Sequence, residues 1–241
     1  MRLRDALTPF LRDAITPRPP LIKENTVMLK IEQELWDKGY NYIACIDEVG
    51  RGCLAGSVVT CAVIMPKGLL IEGVDDSKKL SAKKREELFE IIKNSALAYG
   101  IGELDCAKVD EYNIKNATRI AMVQAIENIK DNGGNKIVPD YVIVDAEKLD
   151  TDIPQSNIIH GDAKCHGIAA ASIVAKVTRD RQMEQLSKLY PEYKFDKNKG
   201  YGTKEHIEAL LEYGPTEIHR KTFIKKILDR NEQLKIVEGS F

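Results

Sequence analysis

The sequence predicts an α/β layer fold, in which helices flank a mixed central sheet and the C-terminal portion is helical. Three observations carry this. Runs of β-forming residues at 42–47, 57–65 and 141–145 are apolar almost throughout, as in strands covered on both faces. Segments of helical periodicity lie between and after them. Residues 167–177, GIAAASIVAKV, are apolar nearly all round, which makes that helix central.

Taken in order, residues 1–25 form an N-terminal extension of unassigned role, with Pro19-Pro20 ending its one short periodic patch. Residues 26–38 place Met28, Ile31 and Leu35 at helical spacing, and Gly39 stands where a C-terminal cap belongs. Strands follow at 42–47, 57–65 and 96–104. Between the last two, Ser81 can cap a helix whose Leu88, Ile91 and Ile92 share a face. A helix over 114–130 carries Ile114, Ala117, Ala121 and Ala125 in one stripe; strands at 141–145 and, more weakly, 157–160 come next. After the central helix, two more are expected near 203–213 and 222–235. Residues 26–200 are thus the main domain, and 201–241 a helical portion packed on it.

Composition excludes several classes. The chain has 241 residues, 43% of them hydrophobic, and 36 basic side chains against 37 acidic ones, so it is neither a disordered tail nor a polycation. Its longest uncharged stretches, 53–66 and 165–175, fall short of the ~20 residues that span a bilayer. The N-terminus scatters Arg2, Arg4, Asp5, Arg12 and Asp13 among its apolar residues, unlike a secretion signal, so a cytoplasmic location is expected. Cys45, Cys53, Cys61, Cys106 and Cys165 are odd in number and never spaced CxxC, which argues against a disulfide framework or a zinc site.

The chemistry-bearing residues are acids at element boundaries. Asp47 and Asp145 each close an apolar strand run, and the carboxyl ends of strands in open α/β sheets line the ligand crevice. Glu48 follows Asp47 directly; both can serve one site only if the strand ends or bulges there, as Gly50 and Gly52 favour. Asp162 precedes the alanine-rich helix and can cap it while facing the sheet edge. If they converge, four acids repel one another until protons or cations intervene. An all-oxygen donor set favours Mg²⁺ or Mn²⁺, and two such ions suit in-line hydrolysis of a phosphodiester.

In their order along the chain, IDEVGRGCLAGSVV (46–59), DSKKLS (76–81), VDAEKL (144–149), GDAKCHGIAAASIVAKVTRDR (161–181), NKGYGT (198–203) and GPTEIHRKTF (214–223) resemble ribonuclease HII. The resemblance covers residues 26–230, some 85% of the chain. It implies an RNase H-like fold and an endonuclease that hydrolyses the RNA strand of RNA–DNA hybrids, including single ribonucleotides embedded in duplex DNA. It also implies that Asp47, Glu48, Asp145 and Asp162 are catalytic and hold two divalent ions, with a 3′-hydroxyl and a 5′-phosphate as products. The Gly50-Arg51-Gly52 loop would meet the 2′-hydroxyl before the scissile phosphate, and Tyr201 the sugar after it. Two positions depart from the family pattern: Cys53 and Ser57 stand where proline is common, and neither change removes a ligand.

Between Lys164 and Lys204 nine basic side chains face four acidic ones, a local excess of five that leaves −6 for the rest of the chain. Lys176, Arg179, Lys197, Lys199 and Lys204, with Lys78 and Lys79 from the early loop, are candidate phosphate contacts; Lys79 and Arg179 also lie inside family-like blocks. Recognition of a 2′-hydroxyl and of helix shape needs no base code. NEQLKIVEGSF (231–241) contains no evident clamp-binding peptide, so a monomer with no obligate protein partner is expected. The competing reading, a noncatalytic hybrid binder, has no need of all four acids.

Overall fold

The structure, a computed structural model, describes residues 27–238, with side chains through residue 231. The N-terminal extension and the end of the 231–241 segment lie outside the described residues. A five-stranded sheet runs in the order β3-β2-β1-β4-β5, from β1 (Ile43–Val49), β2 (Val58–Ile64), β3 (Ala98–Leu104), β4 (Tyr141–Asp145) and β5 (Gln155–Ile158). β1 pairs antiparallel with β2 and parallel with β4, so the sheet is mixed as expected and β1 is its centre. β5 begins and ends two residues earlier than the run at 157–160 suggested, and its early end is set by His160, which turns the chain in a left-handed conformation, φ 58°.

Alternation along β1 and β4 builds two apolar layers. Ile43, Cys45 and Ile143 face α1 (Lys30–Asp37), α2 (Ala82–Ser95) and α4 (His166–Leu189), where Leu35, Leu88, Ile92, Ile168 and Ile173 complete one core. Ala44, Ile46, Val142 and Val144 face α3 (Cys106–Glu127) through Met122, Ala125 and Ile126. Helix α4 is the central helix expected, but it continues twelve residues past Val177.

In α2, Ser81 caps as predicted, accepting from the Lys84 N–H at 3.2 Å, and Leu88 and Ile92 are buried. Ile91 is not on that face; it is 39% exposed. α3 starts eight residues before the stretch expected from periodicity. Asp105 caps it, and Asn113 breaks it with φ 60° while its Oδ1 accepts the N–H groups of Lys115 and Asn116. The predicted start at 114 is therefore the second segment of a kinked helix. Its stripe of Ala117, Ala121 and Ala125 is fully buried, and a Cβ at Gly102 of β3 would lie 1.8 Å from the Ala121 carbonyl. That glycine is what lets helix and strand approach so closely.

Beyond α4 come a short helix α5 (Phe195–Asn198), α6 (Lys204–Tyr213) and α7 (Lys221–Glu238). Phe195, Tyr193, Met183 and Ala55 form a small core, with the His206 and His219 rings packed against Phe195 and Tyr193. This core ties the C-terminal helices to the loop between β1 and β2. No helix among the described residues is long and apolar enough to cross a membrane.

Candidate active site

Asp47 and Asp145 are neighbours by register. Ile46 pairs with Val144 in the parallel ladder, so the next residue on each strand is an aspartate at the same sheet edge, and alternation directs both toward α4. Ala146, immediately after Asp145, takes φ 52°, a conformation costly for a residue with a Cβ and common at functional edges.

Asp47 is 6% exposed. Burial pushes its carboxyl well above the usual range and the adjacent Glu48 charge adds to this, while the Ser172 hydroxyl of α4 acts in the opposite direction. Ser172 is itself 2.8 Å from the Ser77 hydroxyl, which joins the DSKKLS loop to the alanine-rich helix behind Asp47.

Glu48 corrects one expectation. The strand neither ends nor bulges at Asp47; pairing stays regular through Glu48↔Thr60 and Val49↔Val59. Alternation therefore turns Glu48 toward the α3 face. There Arg51 Nη1 lies 3.4 Å from Glu48 Oε1 and 3.2 Å from Glu147 Oε1, while Arg119 holds the other oxygen of Glu147 at 2.9 Å. Burial pushes the Glu48 carboxyl up, against the pull of Arg51, and its Oε2 is buried with no hydrogen-bond partner. Glu147 was not singled out from sequence, where it resembles any charge in a loop.

Asp162 sits in a 3₁₀ turn (Gly161–Ala163) and is not the cap of α4, whose N-cap is Cys165. The turn is docked on β4 by the Gly161 N–H, which donates to Asp145 Oδ1 at 2.9 Å. Lys78 Nζ lies 3.6 Å from Asp162 Oδ2. Lys79 instead pairs with Asp75 at 3.1 Å on the exposed loop, so Lys78 is the residue that reaches the acids.

Although Glu48 starts from the other face, its charge still raises the Asp47 carboxyl and the Asp145 charge raises that of Glu48, so at this strand end the four carboxylates lie near one another across the sheet edge, without the bulge expected from the sequence. They are not drawn into a tight cage; among the described residues, the group of three ligand atoms mutually within 4.8 Å is Glu32, Cys45 and Cys165, elsewhere in the molecule. The donor set nevertheless fits a hard divalent cation, being all oxygen, with one buried orphan in Glu48 and a charge on Asp47 that burial disfavours.

The loop after β1 borders these acids. Gly50 has φ 90°, and a Cβ there would meet Arg179 Nε at 2.4 Å and the Ser57 carbonyl at 2.8 Å. At Gly52 a Cβ would meet nothing within 4 Å. Arg179, expected to meet a phosphate, has no exposed surface. Its guanidinium donates to the carbonyls of Ser57 (2.9 Å), Lys199 (2.7 Å) and Ala55 (3.1 Å), which makes it a positioning residue. Arg220, equally buried and not singled out from sequence, donates to the Gly56 carbonyl (3.0 and 2.7 Å) and to that of Arg51 (3.0 Å). Gly200 and Leu54 join backbones at 2.8 Å, so the NKGYGT and GPTEIHRKTF segments both lie against the loop. Tyr201 is 41% exposed beside Cys53, whose thiol burial pushes up and so leaves unactivated.

Other expected phosphate contacts are engaged internally. Lys176 pairs with Asp180 at 2.7 Å and Lys199 with Glu184 at 2.7 Å, whereas Lys204, 3.7 Å from Glu208 on the surface, remains 88% exposed.

Residues 44–226 match the family model described as Ribonuclease HII. The ribonuclease HII of Alkaliphilus oremlandii is 58% identical over 200 residues, covering 83% of this chain and 98% of that relative. Among solved structures, the ribonuclease H2 of Pyrococcus horikoshii superposes with a TM-score of 0.65 at 27% identity, covering 78% of this chain and 97% of the other. The ribonuclease HII of Archaeoglobus fulgidus, solved in complex with PCNA, gives 0.62 at 25% identity, covering 76% and 94%.

Proposed function

This chain belongs to the ribonuclease HII family, and from that premise we propose that it cuts both continuous RNA–DNA hybrids and duplex DNA carrying a single ribonucleotide. The coarser statement, a metal-dependent ribonuclease H endonuclease acting on RNA–DNA hybrids, follows from the family itself. The observation that carries the finer reading is the joining of acids and GRG loop into one continuous edge.

Asp47, Glu48, Asp145 and Asp162 would hold two divalent cations, Mg²⁺ or Mn²⁺, which supply an activated water and charge neutralisation for in-line displacement giving 3′-hydroxyl and 5′-phosphate ends. Asp145 is held in place by the Gly161 N–H, and the turn that carries Gly161 also carries Asp162, which would help to hold the second ion and orient the attacking water. Arg51 restrains Glu48 from the α3 side, leaving Glu48 Oε2 as the free donor. Gly52 has no internal need to lack a side chain, which fits a backbone approached by the 2′-hydroxyl. The exposed Tyr201 ring is placed to pack on the sugar of the following nucleotide, a contact that favours deoxyribose and so an RNA-to-DNA junction.

The protein acts as a monomer in the cytoplasm, with no obligate protein partner. PCNA, with which the Archaeoglobus relative was solved in complex, would on this reading be an accessory partner. The test is a cleavage assay on paired substrates, a hybrid and a duplex with one embedded ribonucleotide, run with Mg²⁺, Mn²⁺ and chelator. Both substrates are cut with either metal and neither with chelator; an intact embedded-ribonucleotide duplex beside a cut hybrid overturns the finer reading, and two uncut substrates overturn the whole proposal.

A further inference from the structure

Three residues far apart in sequence meet inside the core on the α4 side of the sheet. Glu32 comes from α1, Cys45 from β1 and Cys165 from the N-cap of α4, and one ligand atom of each lies within 4.8 Å of the other two. All three are buried. The two sulfurs are 3.9 Å apart. Thiolates bound at ~2.3 Å to one tetrahedral ion stand ~3.8 Å apart, so the pair already has the spacing of two ligands on a common metal.

Glu32 adds a second, independent observation. Its Oε1 accepts the Gly167 N–H at 2.9 Å, capping α4 from another helix, while its Oε2 is buried with no hydrogen-bond partner. Capping accounts for one oxygen; beyond it, the side chain that eases the buried charge is the Cys165 thiol, a weak donor. Burial pushes this carboxyl above its ordinary range, and outweighs the hydrogen bonds from the Gly167, Glu32 and His166 backbones and from the Cys165 thiol. A cation between Glu32 and the two sulfurs compensates Glu32 Oε2 and all three charges together.

We propose that Glu32, Cys45 and Cys165 bind one thiophilic divalent cation of the Zn²⁺ class, at a structural site separate from the acidic sheet edge. Soft sulfur donors select Zn²⁺ or Cd²⁺ over the hard ions suited to the four acids, so the two sites do not compete. Both thiols release their protons to solvent on binding, and three protein donors leave the fourth tetrahedral position for a water. The ion would fasten α1 to the central strand and to the start of α4.

The probe is Cd²⁺ titrated into the full-length protein kept reduced with a phosphine. The readouts are the ultraviolet sulfur-to-cadmium charge-transfer band and the thermal midpoint. One equivalent gives the band and raises the midpoint. Cys45→Ser and Cys165→Ser each abolish the band. Glu32→Gln keeps an acceptor for Gly167, so it folds, yet weakens binding by ~10-fold or more. Cys106→Ser changes nothing. A native chain without the band overturns the proposal, as does a band that persists in Cys165→Ser, is undiminished in Glu32→Gln, or disappears in Cys106→Ser. Circular dichroism on each variant separates a lost ligand from a lost fold.

Discussion

Asp145 accepts the Gly161 N–H through one oxygen and, in the proposed site, would offer the other to a metal ion. Asp145→Asn keeps an acceptor for Gly161 and removes the charge. Cleavage should therefore fall at least ~100-fold while hybrid binding holds or tightens, because repulsion toward the phosphate is relieved. Single-turnover cleavage beside a binding isotherm checks this; equal loss of both would contradict it. Arg220 shows how much a buried side chain can matter without touching chemistry. Its planar fork supplies three hydrogen bonds to the Gly56 and Arg51 carbonyls, which a lysine cannot reproduce. Arg220→Lys should cost about 2–3 kcal/mol in urea unfolding and raise KM for hybrid more than it lowers kcat. Asp47 and Asp145 were legible in the sequence because each closes an apolar run, Glu48 because it follows Asp47, and Asp162 because it precedes the alanine-rich helix. Arg220 and Arg179 were not, since an arginine in a sequence usually means surface, and only the fold shows carbonyls converging on these two.

At the scale of elements, the α3–β3 contact is set by backbone proximity. Gly102→Ala would drive a Cβ into the Ala121 carbonyl and disturb the neighbouring Thr60 hydroxyl, which donates to the same oxygen at 2.8 Å. A loss of about 2–3 kcal/mol is expected, read as a fall in thermal midpoint, with the acids' geometry disturbed only through β2. Helix α6 poses a different constraint. The Thr216 N–H donates to His219 Nδ1 at 3.0 Å, so neutral His219 carries its proton on Nε2 and donates to His206 Nε2, 3.0 Å away. His206 then donates from Nδ1 to the Tyr201 carbonyl at 2.9 Å. Burial lowers both imidazoles, His219 to about 4. The unfolded chain binds the extra protons, so stability is complete above about pH 6.5 and declines as pH falls toward 4. Because buried His166 is lowered to about 4 as well, the His219 share is read as a difference: between pH 7 and 5 the native chain should lose about 1–2 kcal/mol more than His219→Gln in urea unfolding. Periodicity found these elements but misjudged their ends. The α3 kink depends on the Asn113 side chain recapping the helix, and the length of α4 beyond Val177 depends on burial that no local pattern announces.

For the whole molecule, the net charge of −1 gives little hint of a polyanionic substrate. The excess of basic residues between 164 and 204 restores that hint, and tertiary structure then halves it. Lys176, Arg179 and Lys199 are engaged inside the protein, while Lys78, Lys197 and Lys204 are exposed. Lys197→Ala and Lys204→Ala should each lower the slope of log K against log salt by about 1 in hybrid binding. Lys176→Ala should leave the slope alone and lower stability, a contrast visible in the same salt titration.

The sequence by itself determined the mixed α/β architecture, the order of most elements and the acids at the strand ends, because apolar periodicity and the punctuation of apolar runs by charge are local properties. Tertiary structure decided which charges face outward, how the GRG loop is held and where Glu32, Cys45 and Cys165 meet. Those are contacts between residues up to 169 positions apart, and side chains that distant meet only when the sheet order β3-β2-β1-β4-β5 and the course of α4 bring them into one packed volume.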